Sequence, residues 1–309
     1  MGDILKAVTS GFSRFALSWL LPSSAAIALF AIFLYPYWQK FAGMRPFREV
    51  IRTGFLETTV LIAFLALLLS LVFALASLPI YRLFEGYLLP STIATALKRR
   101  RLAEVRKLRR RAEMLNRRKV GRNEWEVIQE RLANYPAADD SLLPTRLGNA
   151  YKAIERYGHE RFGLDSQALW YELHAVASGN LRKDSDDARS SVDFFVALAT
   201  YLLVLALLSI ATALTSQAPH LLVVAAIFIY LAWLAYGAAV RNMTDLRYAI
   251  QAIVNVNRVG LMSSLGYRMP QSLAAERRIW RAWSLSATGN GDSLERLDKF
   301  RAGPPASDS

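Results

Sequence analysis

KRRRLAEVRKLRRRAEMLNRRKVGR, residues Lys98 to Arg122, carries thirteen Lys and Arg against two acids, Glu104 and Glu113. Two long apolar segments precede this run and two follow it. A helix rises 1.5 Å per residue and needs about 20 apolar residues to cross about 30 Å of hydrocarbon. Short loops rich in Lys and Arg stay on the cytoplasmic side of a membrane. The basic run therefore orients everything around it.

Reading outward, the first span covers about Phe15 to Trp38, with Trp19 near one end and Tyr35, Tyr37 and Trp38 at the other, as in an aromatic belt. Its apolar core is longer than a signal-peptide core, which marks a retained anchor. The second span covers Phe55 to Tyr81, and a break is expected near Pro90. The third covers about Val192 to Thr215. A polar turn, Ser216 to His220, leads into the fourth, Leu221 to Val240. The spacing predicts an all-α membrane protein: four transmembrane helices in two hairpins with a helical cytoplasmic domain. Its divisions are a cytoplasmic N-terminus (1–14) and a first hairpin (15–81), in which 39–54 is external and suits an interfacial helix. A cytoplasmic domain (82–191) with a basic helix over 92–120 follows, then a second hairpin (192–240), a cytoplasmic C-terminal segment (241–301) and a disordered tail (302–309).

With the N-terminus inside, 34 of the 38 Lys and Arg lie in the cytoplasm and 4 lie outside. This expects a multi-pass protein of the cell (inner) membrane with both termini cytoplasmic.

Within the central region, Leu97, Leu102, Val105, Leu108, Ala112 and Leu115 fall on one side of a helix that Gly121 ends. Asn123 is expected to cap the next helix, Thr145 the one after, and Asp165 or Ser166 a further one. Asp184, Asp186 and Asp187 are expected at the start of the helix that continues into the third span. Pro270-Gln271-Ser272 opens the last one.

The chemistry-bearing patterns are sparse. The chain has no cysteine and three histidines, His159, His174 and His220. Disulfides, thiol nucleophiles and Cys-based metal sites are thereby excluded. There is no phosphate-binding glycine loop and no dinucleotide fingerprint. We expect a non-enzymatic protein with no cofactor and no metal. The spans carry no ionisable residue in their central parts, which disfavours a proton-coupled transporter.

Three sets of residues are candidates for function. Lys98, Arg99, Arg100, Arg101, Arg106, Lys107, Arg109, Arg110, Arg111, Arg117, Arg118 and Lys119 could bind anionic membrane lipid, a soluble protein partner or nucleic acid. Nucleic acid is less favoured, because the run has no aromatic residue on which bases could stack. The same run could dock on its own acidic neighbour: residues 82–122 carry a net +11 and residues 123–193 a net −5. Thr200, Ser209 and Thr212 on the third span, with Ala232, Ala235 and Ala239 on the fourth, form a pore-lining or helix-packing face.

The third set is Arg146, Asn149 and Trp170. The segment Leu143-Pro144-Thr145-Arg146-Leu147-Gly148-Asn149, followed by Gly163-Leu164-Asp165-Ser166 and Trp170, resembles a stretch in uncharacterised bacterial membrane proteins with four spans. The resemblance implies that layout and a recurrent internal fold or partner site, and no activity. The leading expectation is a self-associating protein, a homo-oligomer, whose cytoplasmic domain senses a signal or partner and whose spans give a channel-like or membrane-perturbing output. The alternative is a membrane-anchored scaffold whose basic helix recruits a soluble partner, anionic lipid or nucleic acid.

Overall fold

A computed structural model describes residues 14–118, 121–287 and 301. The expected N-terminal segment, apart from Arg14, and the expected tail lie outside the described residues, as does Lys119. Among the described residues every regular element is a helix, and extended pairing is confined to an isolated bridge between Tyr267 and Arg301.

Four helices are long and apolar enough to cross a membrane. The first, α1 (Ala16–Phe33), opens with a π-helical turn before Pro22, whose missing N–H costs least there. A short helix, α2 (Arg45–Thr53), leads to the second apolar helix, α3 (Phe55–Glu85). The third is α8 (Gly179–Thr215) and the fourth α9 (His220–Ser264). Between the second and the third stand α4 (Ser91–Arg118), α5 (Arg122–Leu132), α6 (Arg146–Phe162) and α7 (Trp170–Val176). The last helix is α10 (Leu273–Ala287).

Several ends fall where local chemistry put them. Thr145 accepts a hydrogen bond from the Gly148 N–H at 3.0 Å and caps α6. Gly121, at φ +72°, separates α4 from α5 in the left-handed region that glycine reaches without strain. Ser272 accepts from the Ala275 N–H at 3.2 Å at the head of α10.

Other ends differ from expectation. α3 runs past the Tyr81 end expected for the second span to Glu85, with Pro79 inside it, and the break expected near Pro90 falls between Glu85 and Ser91. Asn123 lies inside α5, which starts at Arg122 after Gly121. The three aspartates are not in the first turn of α8, because that helix begins at Gly179 with Ser178 accepting from the Leu181 N–H.

The chain divides into two units. One takes in Met1–Leu83 and Arg189–Asn242, the other Phe84–Ala188 and Met243–Ser309. In the first, Ser23 and Tyr201 share a hydrogen bond of 2.9 Å between hydroxyls, and the Tyr201 hydroxyl also donates to the Leu69 carbonyl. Phe33 meets Phe228 edge-on, and Tyr81 donates to the Asp193 carboxylate. These contacts tie all four apolar helices together. The remaining apolar surface, including Phe64, Leu75, Leu207 and Trp233, is exposed. Exposed apolar area on this scale is the mark of a surface solvated by lipid.

In the second unit the core gathers Leu164, Leu169, Leu173, Ile253, Met262, Ile279 and Trp280 from α6 to α10. Below it α6 ends at Gly163, at φ +78°, where an added Cβ would stand 2.7 Å from the Arg277 carbonyl oxygen. Here only glycine permits α6 and α10 to approach so closely.

Candidate functional site

The basic helix α4 sorts its cations by direction. Val105 and Ala112 are its buried residues. On the flanks of that stripe, cations are engaged by their own chain. Arg106 donates to Asp139 through Nε and Nη2 at 3.2 and 3.1 Å, and Arg109 donates to the other oxygen of the same carboxylate at 2.6 Å. Arg109 also donates to the carbonyls of Pro136 and Ala137, and Lys98 to that of Asp140. Arg111 forks onto Glu124 at 2.9 and 3.2 Å. Arg101 is paired with Glu104 one turn on.

These pairs set the local titration. The hydrogen bond from Arg109, helped by that from Arg106, holds the Asp139 carboxyl below its ordinary range. The hydrogen bond from Arg111 does the same to Glu124. Burial is the main cause that pushes the Tyr135 phenol up.

Arg99, Arg100, Lys107, Arg110, Arg117 and Arg118 are different. All six are exposed, and among the described residues none meets a carboxylate. At 100° per residue they fall within an arc of about 100°, centred opposite Val105 and Ala112. A helix with one buried edge and two neutralised flanks therefore keeps six uncompensated cations on its outward edge. Beside that edge an open groove of about 1220 Å³ runs between α4 and α5, with Met114 and Val127 among its lining.

The expected pore or packing face is covered. Ser209 and Thr212 are buried and donate back to the carbonyls of Leu205 and Leu208, and Thr212 also accepts from the Trp38 indole at 2.8 Å. Thr200 donates to the Val196 carbonyl. Ala232, Ala235 and Ala239 are buried. Hydroxyls and small residues placed this way pack helices within one chain.

The third expected set is not one surface. Asn149 is fully buried: its Oδ1 accepts from the Leu143 N–H at 2.9 Å, and its Nδ2 donates to the carbonyls of Leu143 and Thr145. Its amide is spent on its own backbone, which corrects its reading as a partner contact. Arg146 is exposed and reaches Glu104 at 3.5 Å. Trp170 packs against the core of the second unit and tilts over His174.

Sequence reasoning missed the ion pair of Arg258 with the buried Glu276, 2.9 Å apart and eighteen residues distant in the chain. An i+3 or i+4 spacing would have shown it; this one could not. Among the described residues no group of three or more His, Asp and Glu is placed to hold a metal ion. Comparison of the chain with known families, with curated proteins and with solved structures gives no match.

Proposed function

We propose that this chain is a multi-pass membrane protein whose helix α4 holds its outward basic edge against anionic lipid headgroups. Four apolar helices cross the bilayer as two hairpins, and the second unit lies in the cytoplasm with both termini. The charge distribution supports that orientation, since the helix following α3 is the most basic stretch of the chain. The carrying observation is the division of α4 into neutralised flanks and an uncompensated edge. Internal docking on acidic neighbours explains Arg106, Arg109 and Arg111 but leaves six cations without acids.

Cations near an anionic bilayer surface contribute about 1 kcal/mol each. Ser91 follows Glu85, the last residue of α3, by six positions, so α4 is tethered close to the interface where its helix leaves the bilayer. An anionic leaflet is then the nearest polyanion. No aromatic residue lies on the edge, which leaves single-stranded nucleic acid without a stacking platform. This is the anchored-scaffold reading with lipid as the partner. The channel-like reading loses its motive, because the hydroxyl and alanine faces are occupied within one chain.

Lipid retained through purification tests the proposal. Replacing Arg99, Arg100, Lys107, Arg110, Arg117 and Arg118 by Gln should strip most co-purified anionic lipid. Replacing Arg106 and Arg109 should leave it. Equal anionic lipid in both variants would reject the reading.

A further inference from the structure

A second basic site lies in the second unit, on residues separate from the edge of α4. It is an open pocket of about 850 Å³ where the end of α6, the far part of α9 and the start of α10 meet. We propose that this pocket binds a small phosphate-bearing anion.

Three guanidinium groups line it, those of Arg161, Arg258 and Arg277. Two charges are balanced internally. Arg258 pairs with buried Glu276 and lies over the Phe162 ring at 4.3 Å, while Glu160, the acid of the lining, pairs with Arg156. Arg161 and Arg277 have no carboxylate partner among the described residues. Arg277 donates its Nε to the Arg161 carbonyl at 3.0 Å, which fixes its plane and leaves its terminal N–H groups for a ligand. Tyr157 donates to Asn255 Oδ1 at 2.9 Å, so the Asn255 N–H groups are not consumed by that bond in a pocket both residues line.

Gly163 brings the Arg277 backbone against the end of α6, the Arg277 side chain bonds the Arg161 main chain, and the Arg161 guanidinium lies 5.9 and 5.8 Å from the Tyr157 and Phe162 rings. Two guanidinium groups without acids in one pocket, plus an amide, fit a dianionic phosphate group by charge and by forked hydrogen bonding. The volume exceeds one phosphate and suits a drug-sized metabolite. The same chemistry is offered by a soluble nucleotide and by a phosphomonoester lipid headgroup.

Pyrophosphate titrated into the full chain, held in nanodiscs of neutral lipid, is the probe. Binding should weaken about tenfold or more in R161Q/R277Q, as expected for losing charge-assisted contacts. N255D keeps an acceptor for Tyr157, and hence the fold, but places a negative charge in the pocket; it should abolish binding with an unchanged melting curve. Competition then assigns the source: AMP displaces pyrophosphate for a soluble ligand, and nanodiscs containing phosphatidic acid suppress it for a lipid. Pyrophosphate that fails to bind, binds N255D as well as the native chain, or is lost only when the edge of α4 is neutralised would overturn the proposal.

Discussion

A Cβ built on Gly148 would stand 2.3 Å from the carbonyl oxygen of Glu85. The backbone at the start of α6 therefore lies directly on the backbone where α3 ends. Gly86 repeats the theme: at φ +97° it faces Pro144, whose ring atoms would meet an added Cβ at 3.1 Å. The segment Pro144 to Asn149 thus grips the chain as it leaves an apolar helix.

Gly148→Ala should accordingly destabilise the protein by about 1–3 kcal/mol, because backbone atoms cannot yield as a side chain would. A thermal melt of the detergent-solubilised chain would show it. An exposed control, Gly179→Ala, meets nothing within 4 Å and should melt as the native protein does.

Asn149 gives a sharper contrast. Asn149→Ala leaves the Leu143 N–H and the carbonyls of Leu143 and Thr145 short of a partner, at about 1–3 kcal/mol for a buried group. Asn149→Asp can still accept from Leu143 but sets a carboxylate against two carbonyl oxygens. It should be the worse of the two, with proteolysis between α5 and α6 as the readout.

The pairing of Asp139 predicts a pH response. Its folded pKa is depressed, so the stability it contributes is present above its unfolded value and is lost as pH falls through the folded one. Amide-exchange protection at residues 137–141, taken relative to the intrinsic rate at each pH, should therefore fall as pH drops below the ordinary carboxylate range of about 4. Asp139→Asn should show the lower protection already at neutral pH and little further loss of protection on acidification.

Much of this was legible in the chain. Apolar length alone locates the four long helices, and Thr145 and Gly121 mark ends through local geometry that needs no tertiary partner. The sorting of arginines was not legible. Arg106 and Arg109 owe their acid to a loop some thirty residues away, and nothing in the periodicity of α4 separates them from Arg110. Asn149 looked like a surface amide because its acceptors and donor are backbone groups, which carry no sequence signal. Gly179-Asn180 is a pair that commonly ends helices, yet with Ser178 before it the pair opens α8.

The placement of the basic edge can be measured on the intact protein, since the chain has no native cysteine. Ala103 is exposed and falls inside the arc of uncompensated cations, so Ala103→Cys accepts a spin label there without displacing a pairing partner. Ala133, exposed on the turn after α5, serves as the control. In nanodiscs containing anionic lipid, the label at position 103 should lose accessibility to a water-soluble relaxing agent relative to neutral nanodiscs, and high salt should restore it. The control label should respond to neither change. Equal accessibility at position 103 in neutral and anionic bilayers would contradict the account.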